Sequence, residues 1–589
     1  MKSLLKITLV LILCLPNLTT AQQQQAKQKI SLLLYNGKIF TADANFTLAE
    51  AVAVDGEKIV AVGGSQDLRA KFKAAREIDL HGKLVTPGFN DAHVHFLRGA
   101  LSLLSVVLTD TKSLTEAQSK VAEKVRTTKP NEWIIGRGWD HTIWKQNFPS
   151  KKDLDAIAPD NPVFLVRVDG HVGWVNSAAL RLAKIDKNTK NPEGGGIERD
   201  ASGEATGILK ETAQGLVAGL IAEPSPAQMQ KGLELALDMA RRYGITSVQD
   251  NSGYETTKLY RDFLRQDKLT VRVAEWQDFE NSIDEIKRQR AEFAAFNDDK
   301  NRLKLTALKG YVDGTLGSRT ASLLAPYSDD VGNSGIPRHT PEELTRMIVE
   351  RDVAGFQIAL HAIGDRANRM ALDGFTEAKK NQNKKSVEVQ KQQAKDAKEA
   401  FEKTRTIIDF VDIEPDPRHR IEHAQVVNPN DFKRFEELGV IASMQPSHAI
   451  SDKRWAGERL GEYRVLGAYA WHLMKSYNVH VPFGTDFPVE SINPYNTLYA
   501  AVSRQDASGA PVGGWQPQEK LTMAEAIRCH TYESAYAEFA QTVKGEIKTG
   551  TLADLVVHSK DLLTIEPKEI LTTEPVYTIF NGKIIYEKK

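Results

Sequence analysis

With 589 residues, 41% hydrophobic and 26% charged, the chain has an ordinary globular composition. It is too long for one ordinary domain, although a large barrel with a satellite domain accommodates it. Its 77 basic and 77 acidic residues cancel to a formal net charge of zero, which leaves no electrostatic footprint for a nucleic acid or a membrane surface.

The chain opens on MKSLLKITLVLILCLPNLTTAQQQQ, with Lys2 and Lys6, an apolar run, then Thr19, Thr20 and Ala21. This is the layout of a secretory signal peptide, residues 1–21, cut between Ala21 and Gln22, and it places the mature protein in the periplasm or outside the cell. A membrane span needs about 20 apolar residues. This run is shorter and is broken by Pro16, so no span is expected after cleavage. Lipid attachment through Cys14 is the weaker reading, because Leu11, Ile12 and Leu13 are not the small residues such sites carry. Cleavage leaves Cys529 as the sole cysteine and excludes an intrachain disulfide.

Residues 28–84 alternate like antiparallel strands, with hairpin signals at Asn36-Gly37 and Asp55-Gly56. Near the other terminus Asn581-Gly582-Lys583-Ile584 repeats Asn36-Gly37-Lys38-Ile39. Residues 28–84 and 543–589 are therefore expected to form one small β-sandwich from both chain ends, with two unrelated hairpins as the alternative.

Between them, short apolar runs alternate with helical stretches, as in parallel βα units. Strands are expected at 84–95, 245–250, 270–276, 304–314, 356–365, 418–425, 440–448 and 480–489. Eight such runs predict an α/β fold, a (β/α)8 TIM-type barrel over 85–542, with its chemistry at the C-terminal strand ends. An insertion after barrel strand 1, about 105–240, is expected to cover the mouth. Its Trp139, Trp144 and Trp174 either line a pocket or form the insertion's own core. The charged stretch 378–405 reads as a solvated helical extension.

The strand ends carry the candidate chemistry. His93 and His95, two apart at the end of a strand, point to one side and can grip one ion, with Asp91 close enough to orient a ligand. Lys309 lies in the fourth strand, His361 ends the fifth, His423 the sixth and Asp486 the eighth. Taken singly, each histidine reads equally as a core residue, Lys309 as a surface lysine and Asp486 as a helix cap. Their coincidence at the ends of five strands favours a site for zinc, which takes nitrogen ligands and some carboxylate oxygen. His171 and His448 either contact substrate or serve structure. Asp313 and Arg319 either shape the pocket, Arg319 by binding a carbonyl or carboxylate, or stabilise a turn. The chain has no G-x-S-x-G elbow and no glycine-rich phosphate loop, which disfavours a serine nucleophile and phosphate binding.

The stretches GFNDAHVHF, ITSVQD, LKGYVDGTLGSRTA, ALHAIGDRAN, RIEHAQ, FGTDFPV and GEIKTGTLADLVV span nearly the whole mature chain. In that order they resemble the amidohydrolase superfamily, and within it the amidohydrolase-3 group that includes N-substituted formamide deformylase-like enzymes. The resemblance implies that His93 and His95 hold the more buried of two zinc ions and that His361 and His423 hold the second, with other divalent metals not excluded. It implies a carbamate on Lys309 bridging both ions. Asp486 is then the carboxylate that takes a proton from the metal-activated hydroxide and passes it to the leaving amine. The implied activity is hydrolysis of a carbon–nitrogen bond, amide or formamide in type, in a small-molecule substrate. Hydrolysis of an ester or lactone, deamination on the same site, and a non-catalytic binding protein on this scaffold are the alternatives. Retention of all six expected ligand positions weighs against the last. Oligomeric state, a homodimer included, is left open.

Overall fold

The computed structural model describes residues 27–382 and 416–589, apart from 110, 142, 146, 168, 169, 171, 193, 194, 297, 298 and 300. The leader 1–21, Cys14, His171 and most of the charged stretch 378–405 lie outside the described residues.

A parallel sheet of seven strands occupies the centre: Phe89–Val94, Ile245–Asp250, Arg272–Asp278, Leu303–Tyr311, Gln357–Ala362, Arg420–His423 and Ile441–Ser443. Each pairs with the next in chain order. These strands are buried on both faces, as parallel strands covered by helices are, and Ile245–Asp250 and Gln357–Ala362 are buried at every residue, polar ones included. The segment from His480 to Asp486 bonds to both ends of this sheet. Its His480 and Pro482 carbonyls accept from Ala442 and Met444, while its Phe483 carbonyl accepts from Ala92 and its Asp486 amide donates to the His93 carbonyl. The sheet is thereby nearly closed, and the C-terminal ends of its strands converge.

Local sequence rules set the covering helices. Pro226–Tyr243 starts with Ser225 and Gln228 in a reciprocal capping box and Pro226 in its first turn, and it ends at Gly244 with φ 75°. Its Leu233, Ala236, Leu237 and Ala240 form one apolar stripe against the barrel. This helix falls within the range expected for the insertion but packs with the barrel.

The insertion itself forms a six-stranded sheet between Val106 and Glu211. Trp139, Trp144 and Trp174 pack on one another with ring centroids 5.9–6.2 Å apart. They are the centre of the insertion's own core and not a pocket wall.

The chain ends build two further sheets. One pairs Lys58–Gly63, Ala51–Asp55, Gln28–Tyr35 and Phe72–Asp79; the other joins Lys583–Glu587, Pro575–Phe580, Leu555–His558, Leu84–Pro87, Lys38–Phe40 and Leu48–Ala49. Leu32, Val52 and Ile78 of the first share an apolar cluster with Ile39, Val85 and Leu555 of the second.

Two local expectations change. The run 84–95 is not one strand: Leu84–Pro87 belongs to a terminal sheet and Phe89–Val94 to the barrel. The chain crosses between them at Gly88, where a Cβ would stand 2.2 Å from Thr246 Oγ1, so only glycine fits. Asn36-Gly37 does turn, with Asn36 at φ 55°, but it carries the chain from one terminal sheet to the other and closes no hairpin. Arg272, with a bidentate bond to Asp554 at 2.6 and 2.9 Å, ties the barrel to this region across buried surface. No helix among the described residues is long and apolar enough to cross a membrane.

Candidate metal centre

The strand ends bring His93, His95, Lys309, His361, His423 and Asp486 to one place. His93 Nε2 lies 3.2 Å from Lys309 Nζ and 3.6 Å from Asp486 Oδ1, and His95 Nε2 lies 3.3 Å from the same Oδ1. The His361 and His423 ring centroids are 4.5 Å apart, and those of His93 and His423 are 5.1 Å apart. Two side chains reach this place through unusual backbone. His423 has φ 73° and Asp486 has φ 55°, in the left-handed region that costs a non-glycine residue energy and marks a site held by its surroundings.

Hydrogen bonds behind the histidines decide which ring nitrogen faces inward. His93 Nδ1 lies 2.5 Å from Glu422 Oε2, and His95 Nδ1 donates to the Asn251 carbonyl at 3.0 Å. In both rings the Nε2 lone pair is left to face Asp486. A carboxylate or carbonyl behind the imidazole is the arrangement that orients histidine for a metal ion. Arg420, fully buried, holds Glu422 at 2.5 Å and also bonds the Ala92 carbonyl and Ser443.

The electrostatics favour metal binding. Burial, aided by Lys309, pushes His93 down to about 4 and His361 down to about 3, so both are neutral near pH 7. Burial pushes the Lys309 ammonium down to about 8, against the pull of Glu422 and Asp486. Burial alone would raise the Asp486 carboxyl, but His95, His93, His423 and His448 hold it well below the usual carboxylate range. Its Oδ1 is buried and lies 3.3 Å from His95 Nε2, which is a hydrogen bond only when that nitrogen carries a proton; with the lone pair facing inward the oxygen has no partner among the described residues. An unpartnered carboxylate oxygen facing imidazole lone pairs is costly unless a cation lies among them. The donor set therefore fits a divalent ion. His93, His95 and Asp486 form one candidate group, and His423, His448 and Asp486 a second.

A cavity of about 1030 Å³ opens on these groups, lined by His361, His423, His448 and Asp486, with Trp455 and Arg459 among its other walls. A further cavity of about 730 Å³, beside Arg290, Phe356 and Pro417, holds none of the candidate ligands.

Of the remaining candidates, Arg319 lines the larger cavity but is engaged by Asp329 at 2.8 Å. For Asp313 the loop-stabilising alternative fits: its two oxygens accept from the Ser322, Ile363 and Gly364 amides at 2.8–3.0 Å, which shapes the loops beside His361. Asp91 accepts from the His93 and Thr485 amides and so pins the end of strand Phe89–Val94 to the segment His480–Asp486. The cap role for Asp486 is excluded, since the next helix, Pro494–Ser503, is capped by Asn493.

Sequence reasoning missed Glu422, Arg420, Asn251 and Gln445 as orienting groups. Arg420 and Glu422 left a trace: two charges at period two point to the same side of the short strand Arg420–His423. Asn251 acts through its carbonyl, which has no sequence signature.

A nearly closed parallel sheet with neutral histidines and a carboxylate gathered at its C-terminal edge defines the class of metal-dependent hydrolases. Residues 76–586 match the amidohydrolase family profile, and the chain belongs to that family. It is 30% identical to the Arabidopsis thaliana protein LONG AFTER FAR-RED 3, over 94% of this chain and 91% of that one. It is 26% identical to the N-substituted formamide deformylase of Arthrobacter pascens, over 95% of this chain and 99% of that one. The crystal structure of an uncharacterized metal-dependent hydrolase from Pyrococcus horikoshii aligns with a TM-score of 0.70 at 27% identity, covering 91% of this chain and 99% of that one.

Proposed function

We propose that this chain is a zinc-dependent hydrolase that cleaves a carbon–nitrogen bond, amide or formamide in type, in a small molecule. The observation that carries the reading is the unpartnered Asp486 Oδ1, 3.3 Å from His95 and 3.6 Å from His93, at the floor of the cavity. His93, His95 and Asp486 would hold a divalent ion there, and such an ion would supply a water of pKa roughly 7 and a Lewis acid for the scissile carbonyl. Asp486, ionised throughout the neutral range, is placed to accept a proton and return it to the leaving amine. His93, His95, His361 and His423 hold the metal. The likeness to a formamide deformylase supports the bond type. The test is metal analysis of the purified protein followed by a screen of N-formyl and N-acyl amines beside matched esters. Turnover of esters alone would overturn the bond type, and a metal-free active protein would overturn the whole reading.

Lys309 fits a carbamate because it is buried beside His93 and its ammonium is lowered, which leaves more free amine for carbon dioxide. Lys309→Ala is expected to lose much of the bound metal, with partial rescue by a short carboxylic acid in solution. Unchanged metal content would make the lysine structural.

The same reading takes the segment from His480 to Asp486 as the eighth strand position of a (β/α)8 barrel, supported by its bonds to both neighbours. It takes the two terminal sheets as one sandwich, supported by their shared cluster. Residues 1–21 are proposed to direct export. N-terminal sequencing of the protein from its native host is expected to begin near Gln22, and a retained Met1 on soluble cytoplasmic protein would refute this.

A further inference from the structure

We propose that His448 is a metal ligand, sharing a cation site with His423 and Asp486, so that the second ion is held partly from the end of the seventh strand. The inference rests on the metal-dependent reading above and changes its ligand set.

Four observations meet at this residue. One nitrogen of His423, one of His448 and one oxygen of Asp486 all lie within 4.8 Å of one another. His448 Nε2 is buried and has no hydrogen-bond partner among the described residues, and it lies 3.8 Å from Asp486 Oδ2. An unsatisfied buried nitrogen is costly, and His448, unlike the equally unpartnered core residue His530, lines the cavity, where a bound cation would satisfy it. The His423 ring lies nearly parallel to that of His448, at 17° and 5.8 Å, and its Nδ1 bonds Gln445 Oε1 at 2.8 Å. That bond leaves the His423 Nε2 lone pair to face the same space.

The local fold explains why these groups coincide. Strand Ile441–Ser443 is followed at once by helix Pro446–Arg464, and the His448 amide donates to the Gln445 carbonyl at 3.0 Å in the turn that joins them. One turn therefore both orients His423 and presents His448. His361 is placed differently. Its Nε2 donates to the Gly314 carbonyl at 3.0 Å, so only Nδ1 remains for an ion, and among the described residues it belongs to neither group of three.

The experiment titrates metal-free protein with zinc by calorimetry and with cobalt by visible absorption, for wild type, His448→Ala and the ring-sized His448→Phe. Thermal melts confirm folding, and the second variant serves if the first is unstable. The second site is expected to weaken at least tenfold in either folded variant, since even groups behind a metal ligand change affinity about 10- to 100-fold. The cobalt spectrum is expected to lose the contribution of that site while the site of His93 and His95 still fills. Wild-type stoichiometry, affinity and spectrum in a folded variant, with a change confined to KM, would overturn the inference, leave the hydrolase reading intact and assign His448 to substrate. A wild-type protein that binds neither zinc nor cobalt would overturn both.

Discussion

Exhaustive chelation is expected to bring turnover to background, and zinc to restore it. The reason lies in the chain's own groups. His93 and His361 are neutral near pH 7, and Asp486 Oδ1 has no partner among the described residues, so the site without a cation has donors and no acid. Ser318 in the cavity wall offers no activated nucleophile in its place, since among the described residues it bonds only the hydroxyls of Thr315 and Thr320 and the Thr315 carbonyl. The same argument predicts a stability effect. An ion that binds only the folded chain contributes about 2.7 kcal/mol at one hundred times its Kd. Zinc should therefore raise the midpoint of thermal unfolding together with activity. Full turnover in protein shown to be free of metal would remove the central claim.

Asp486→Asn is expected to lower turnover by roughly 100-fold or more, the usual range for a general acid–base group. Asparagine keeps the size and the packing of the side chain but cannot take up the proton. Stability should change by no more than about 1 kcal/mol, because the amide of residue 486 still donates to the His93 carbonyl and no side-chain bond to backbone is lost. Metal content must be read beside the rate, since Asp486 belongs to both candidate groups. A folded, fully metallated Asp486→Asn with turnover near wild type would leave the mechanism without its proton carrier.

Much of this was legible in the linear chain for a physical reason. Parallel strands joined by helices are short and β-prone, so the runs at 245–250 and 356–365 stand out between helical stretches. Candidate ligands follow those runs directly, which is why His93, His95, His361, His423 and Asp486 could be named. The bonds that the orienting groups make were not legible, because their partners are remote in sequence. Glu422 lies 329 residues from His93, and the amide of Thr485 lies 394 residues from Asp91.

The sequence by itself determined the period of the strands, the caps of helices such as Pro226–Tyr243, and the presence of a histidine, lysine and carboxylate set, because these depend on neighbours along the chain. Only the tertiary structure decided where the run 84–95 divides, since Gly88 is required by its approach to Thr246 and by nothing local. It also decided that Asp313 is used by three backbone amides, and that His448 stands unpartnered beside His423 and Asp486. Those outcomes depend on which strand ends meet, and that is set by closure of the sheet rather than by any segment within it.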